Sequence, residues 1–173
     1  MNEQGKEKNV VILNVTPQTH VRVTQGDKIF FRIPKDKLRA TGLRRLQRIE
    51  KYNRYKIAIL AEAKRNNFLF PDLGAAVTFY VPMPRTWRKP KRKLLDGKPH
   101  MNRNDIDNLT KALLDSLLKE DKTVAHIGPL AKYWVDLPIG WIEIVVNEVQ
   151  PKQVVVPECV YERLRGIQGG EIV

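Results

Sequence analysis

Residues 104–118 read NDIDNLTKALLDSLL, and the spacing inside this stretch governs the reading of everything around it. Leu109, Ala112, Leu113, Ser116 and Leu117 recur at three- and four-residue intervals, which predicts a helix over 105–118 with that face turned to a core. Asp107, Lys111 and Asp115 follow at four-residue spacing on the opposite side, and Asp105 lies just before or within the first turn. Aspartates at a helix start have two readings. As caps they satisfy exposed N–H groups and the helix dipole, and the Asp–Lys–Asp row is then a solvated ladder of roughly 0.2–0.5 kcal/mol per pair. As ligands they converge on a hard cation such as Mg²⁺, which prefers carboxylate oxygens and keeps several waters. Leu114 and Leu118 fall on the polar side. That second apolar strip reads as a subunit interface, or as a surface covered by a loop or the carboxyl-terminal tail.

Outward from the helix the pattern alternates. Val10 to Val15 is short and β-branched, and predicts a buried strand. His20 to Val23 and Ile29 to Ile33 flank Gly26-Asp27 and predict a β-hairpin. From Lys35 to Asn66 the pattern is helical with a candidate break at Gly42. There Leu46, Ile49, Ile57, Leu60 and Ala63 form the apolar face, and Arg44, Arg48 and Lys51 share another. Ala75 to Val81 predicts a strand stopped by Pro82 and Pro84. Prolines at 84, 90 and 99 predict that Met83 to Arg103 is a loop without helix. Val124–Ile127, Lys132–Val135 and Trp141–Val146 predict further strands, followed by a tail from Pro151 with a short helix around Glu158 to Arg165. The order predicts one α+β domain over 1–150, a mixed sheet packed with two main helices, and a tail over 151–173.

Composition narrows the function. The chain has 173 residues, 42% hydrophobic and 29% charged, which suits one globular domain. No apolar run approaches the roughly 20 residues of a membrane span, and the polar stretch Met1 to Lys8 is unlike a secretory signal, so a cytoplasmic location is expected. Cys159 is the only cysteine, which excludes an intrachain disulfide and a cysteine-held zinc. The net charge of +12 points to a polyanionic partner. Residues 1–104 carry 24 Lys+Arg against 8 Asp+Glu, whereas residues 105–173 carry 7 against 11. A basic portion before an acidic one fits a grip beside a separate metal site. Arg85, Arg88, Lys89, Lys91, Arg92, Lys93, Lys98 and Arg103 crowd one segment with a single acid, Asp96. Trp87 among them is either packed or free to stack on an unpaired base. His20, His100 and His126 share no metal-like spacing, and Ser116, the only serine, faces the predicted core, so no nucleophilic triad is visible.

The string Asp105-Ile106-Asp107-Asn108-Leu109-Thr110-Lys111, continuing to Asp115 and Leu117, resembles the D-x-D-N-L-x-K-x-x-x-D-x-L signature of the RusA family of Holliday junction resolvases. The likeness spans roughly Val10 to Val149. It implies a homodimeric α+β nuclease of DNA recombination and repair, found in bacteria and their prophages. Such an enzyme binds branched DNA and nicks two strands of a four-way junction symmetrically. It requires Mg²⁺ or Mn²⁺ and no small-molecule cofactor. By matching position the resemblance makes Asp105 and Asp107 metal ligands and Lys111 a catalytic lysine. In the Glu120-Asp121 pair, Asp121 stands in the third ligand place and Glu120 beside it.

Two positions depart from the pattern. The connection from Asp115 to the acidic pair is several residues shorter, which leaves Asp121, Glu120 and Asp115 as alternatives for the third ligand. Asn104 stands where many members have proline. Arg85, Arg88, Lys89, Lys91, Arg92, Lys93 and Lys132 are the expected contacts to DNA phosphates. The competing readings are a non-catalytic basic nucleic-acid-binding module and a metal nuclease for other branched DNA. The module accounts for the charge and leaves the clustered carboxylates without a purpose.

Overall fold

The computed structural model describes residues 9–101, 104–119, 124 and 126–146. They form β1 (Asn9–Leu13), α1 (Ala40–Arg65), β2 (Ala75–Pro82), α2 (Lys89–Leu95), α3 (Ile106–Leu117), β3 (Ile127–Val135) and β4 (Trp141–Val146). The strands lie in the order β1-β4-β2-β3, with β4 antiparallel to both β1 and β2 and with β2 parallel to β3. This is a mixed α+β domain with α1 and α3 as its main helices, as the alternation predicted. No helix among the described residues is long and apolar enough to cross a membrane.

Burial alternates strictly along β2, so Val77, Phe79 and Val81 share one face. Ile142 and Ile144 of β4 and Leu13 of β1 extend it in register. Tyr52, Tyr55 and Ile59 of α1, with Leu109, Ala112 and Leu113 of α3, close over that face. Each fully buried Leu, Ile or Phe taken from water contributes about 1.5–3 kcal/mol, so the α1–α3 seam on the sheet outweighs any single surface ion pair. The seam of α1 is Leu46, Ile49, Tyr52, Tyr55, Ile59 and Ala63, whereas Ile57 and Leu60 are 67% and 50% exposed. The helical period is kept; two tyrosines occupy places that the sequence reading had given to those aliphatic residues.

Several expectations are corrected. The hairpin is absent: residues 14–24 form an extended arm, and Gln25–Phe31 is a 3₁₀ helix. Its cause is Asp27, whose Oδ2 accepts from the Thr24 backbone N–H (2.7 Å) and hydroxyl (2.9 Å). The Arg45 guanidinium clamps both carboxylate oxygens at 2.8 Å. A Thr-x-x-Asp capping arrangement thus wins over the Gly-Asp turn signal. Residues 89–95 are helical, because Pro90 sits in the first turn of α2 where no intrahelical N–H is needed. Gly42 does not break α1; a Cβ there would come within 3.1 Å of the Phe30 ring, so the glycine admits a close approach. β1 is an edge strand with Val10 and Ile12 about half exposed, not a buried one. The strand expected at Val124–Ile127 is not separate: only Ile127 belongs to it, as the first residue of one long β3 that runs through Lys132–Val135. Leu114 is 8% exposed and joins the core with Leu118 packed against it, which removes this pair as a subunit interface. The expected tail over 151–173, with its short helix, lies outside the described residues.

Asp27 is buried, and the Arg45 hydrogen bond, followed by the Thr24 N–H, holds its carboxyl well below the usual range. A depressed carboxylate stabilises the fold above its unfolded pKa, and that contribution fades as pH falls through the folded one. Asp27→Asn is therefore expected to lower the melting temperature most at neutral pH, with the gap to wild type shrinking on acidification. A pH-independent gap in thermal melts would contradict this account of the arm.

Candidate active site

The start of α3 leaves its carboxylates uncommitted. Asp105 occupies the N-cap position in extended conformation (φ −60°, ψ 136°), yet its side chain makes no capping hydrogen bond. The Asn108 amide approaches its Oδ2 at 3.5 Å, and Asp105 is exposed. Asp107 stands in the first turn, exposed, and Lys111 is exposed about 6 Å further along at 1.5 Å per residue. Among the described residues none of the three is in an ion pair, so neither the cap nor the ladder reading describes these groups. Asp115 differs. It contacts His20 Nε2 at 3.1 Å and lies about 12 Å along the axis from Asp107, too far to share an ion. Burial, then the Asp115 charge, pushes the neighbouring Tyr52 hydroxyl up to about 12.

Two carboxylates fit Mg²⁺, which is commonly held by one or two protein carboxylates with waters and substrate phosphate completing the shell. Among the described residues no group of three ligating side chains comes together. Glu120 and Asp121 lie outside the described residues.

The segment before α3 is stitched to the edge of the sheet. Gly97 N–H donates to the Trp134 carbonyl, Trp134 N–H to that of Lys98, and His100 N–H to that of Lys132, each at 2.9 Å. Lys132 lies opposite buried Phe79 in register and so shares the helix-covered face, where an ammonium needs a polar partner. It donates to the Asn104 carbonyl, one residue before Asp105. His100 is buried against Trp134, ring centroids 3.8 Å apart. Burial above all, with the Lys132 charge acting in the same direction, lowers its pKa, which keeps the ring neutral.

Of the expected DNA contacts, Arg85, Arg88, Lys89, Lys91 and Lys93 are exposed on and before α2. Arg92 binds Asp136 at 2.8 Å and Lys132 binds Asn104, so those two hold the protein's own structure. Trp87 packs on Trp134 at 5.1 Å with the Lys91 ammonium 4.0 Å over its ring. The sequence missed a further feature. Arg48 and Lys51 of α1, with Gln18 and Thr19 of the arm and Asn104, line a depression of about 240 Å³ beside the acidic helix start. The Arg44, Arg48 and Lys51 face is legible as a cationic stripe, but its neighbourhood depends on the path of the arm, which no local pattern marks.

The sequence matches the family described as endodeoxyribonuclease RusA over residues 31–138. The chain belongs to the RusA endodeoxyribonuclease family. No curated protein and no solved structure matches it. The RusA match runs from the end of the 3₁₀ helix through β3 and contains Asp105, Asp107, Lys111, all of α2 and Lys132. The family's activity is cleavage within DNA strands.

Each cation that neutralises a phosphate adds about 0.9 to the slope of log affinity against log salt. Arg48→Ala with Lys51→Ala should flatten that slope by about 1.8 in DNA titrations over a range of salt. Arg54→Ala with Lys64→Ala, on the same helix outside the depression, should leave it nearly unchanged. Equal effects of the two pairs would mean that the depression has no special part in DNA binding.

Proposed function

We propose that this RusA-family chain is a Mg²⁺-dependent, structure-selective endodeoxyribonuclease that resolves four-way DNA junctions by paired symmetric nicks as a homodimer. The reading is carried by one observation. The family match spans two exposed aspartates at the start of α3 whose carboxylates serve neither as caps nor in ion pairs among the described residues.

Asp105 and Asp107 would hold the divalent ion, with Asp121 or Glu120 as the third ligand; Mn²⁺ would suit the same oxygens. A divalent ion held there would supply Lewis acidity toward the phosphoryl oxygen and toward an attacking water. The Asn108 amide lies 3.5 Å from the Asp105 carboxylate. Lys132 anchors the backbone of Asn104, so the first ligand enters on a fixed chain. Lys111 sets a positive charge one turn from Asp107, where it can balance charge developing on the phosphate. Arg85, Arg88, Lys89, Lys91 and Lys93 hold backbone phosphates without reading sequence. Pairing of two copies is assigned to the sheet face that no described helix covers, where Tyr80 stacks on Trp141 at 4.3 Å and Val10 and Ile12 are half exposed.

The test is cleavage of a labelled four-way junction with Mg²⁺, beside a linear duplex and a flap. Wild type should cut the junction in paired positions. Asp107→Asn should bind it normally and cut at least about a hundredfold more slowly, the scale on which a lost electrostatic group acts. Retained cutting by Asp107→Asn would sink the site assignment. Binding without cutting by wild type, in Mg²⁺ and in Mn²⁺, would favour a binding module, and preference for the flap would move the substrate to other branched DNA.

A further inference from the structure

A second depression, of about 620 Å³, shares Asn104 with the first. Pro82 and Pro84 at the end of β2, Trp87, His100, Asn104 and Trp134 line it. Resting on the nuclease reading, we infer that this aromatic pocket seats one unstacked nucleobase of the strand being cut.

The chemistry of the walls selects that ligand. The half-buried Trp87 ring, backed by buried Trp134, and the edges of Pro82 and Pro84 offer the π and apolar surfaces on which any base stacks. Polar groups of His100 and Asn104 stand among these walls, as in sites that orient a flat ligand. The Asn104 amide carries both donors and an acceptor, which match the mixed edge of a base. His100 is 4% exposed, and its Nδ1 has no hydrogen-bond partner among the described residues, an arrangement that is rare unless a water or ligand completes it. The exposed cations Arg85, Arg88 and Lys89 flank the mouth in sequence, which suits a base delivered on a phosphate chain and not an apolar peptide.

Position supports the same conclusion. Asn104 walls both depressions, the aromatic one and the basic one of Arg48 and Lys51, and it is the residue before Asp105. A strand whose phosphate lies at the aspartates would thus have an aromatic and a cationic depression beside it, surfaces suited to the bases and phosphates of a nucleotide chain. Taking a base out of its stack is least costly where pairing is already disturbed, as at the crossover of a junction. The Lys91 side chain that now covers Trp87 is exposed and exchangeable, and on leaving the ring it would reach a phosphate. The pocket then becomes the place where the enzyme prefers one nucleotide step over another.

The experiment is a thermodynamic cycle between protein and DNA. Four-way junctions carrying a single abasic residue at successive positions around the cut are titrated, without divalent metal, against wild type, Trp87→Leu and Trp87→Phe. Leucine fills the space on Trp134 without a π face, and phenylalanine restores one. At one position next to the cut, the effect of the abasic residue should differ at least about fivefold between wild type and Trp87→Leu, the lower end of a base–aromatic stack. Trp87→Phe should follow wild type there, and all three proteins should agree at the other positions. Agreement of all three at every position overturns the pocket, and if wild type still cuts the junction the nuclease reading stands. Failure of wild type to bind or cut the junction defeats that reading and this inference with it.

Discussion

The parallel pairing of β2 with β3 is the constraint on which the rest of the molecule depends. Parallel neighbours cannot be joined by a tight turn, so the chain between Pro82 and Ile127 must travel back across the sheet. That crossover carries α2, the edge segment 97–100, Asn104 and α3. Because α3 buries Leu109, Ala112, Leu113 and Leu114 against the sheet and α1, the opposite side of its first turns has to face solvent. Asp105, Asp107 and Lys111 are therefore presented by the packing of the residues between them. Burial of the apolar face, at about 1.5–3 kcal/mol per large side chain, far exceeds any gain those exposed charges contribute to the helix.

Two clamps fix where that first turn sits. From the sheet side, Lys132 takes the Asn104 carbonyl while backbone hydrogen bonds hold residues 97–100 along β3. From the α1 side, the arm closes over α3: His20 donates its N–H to the Asn108 carbonyl at 3.1 Å and its ring contacts Asp115. The arm itself is secured upstream by the Gly140 N–H bond to Thr16 and downstream by the Asp27–Arg45 pair. The result sets the residue before the acidic helix start, Asn104, beside Arg48 and Lys51 of α1.

The helix and its exposed acids were legible in the sequence because a 3.6-residue period and a D-x-D-N string are local signals. β2 and β4 were legible for the same reason. What escaped depended on partners distant in the chain. Pro90 read as a breaker, although at the start of a helix proline is tolerated, and only the position of α2 reveals which applies. Thr24-x-x-Asp27 carried a capping signature, but the clamp that makes it decisive comes from Arg45 on α1. Leu114 fell on the polar side of a helical wheel, yet the seam between α1 and the sheet is wide enough to enclose it. Asn104 and His100 had no motif to mark them; they matter because 97–100 pairs with β3 more than thirty residues away. The roles of Asp121 and Glu120 remain as the family resemblance assigns them.

The claim on which the account turns is that a divalent ion binds at the start of α3. Replacing Mg²⁺ with Fe²⁺ and adding ascorbate and peroxide generates hydroxyl radicals at the bound ion, which break the polypeptide beside it. Mapping the breaks by mass spectrometry locates the ion whether or not DNA is cut. The account predicts breaks centred on Asn104 to Asn108, a second group at Glu120–Asp121, and loss of both in Asp105→Asn with Asp107→Asn. Breaks elsewhere, or breaks that persist in that double variant, would contradict it.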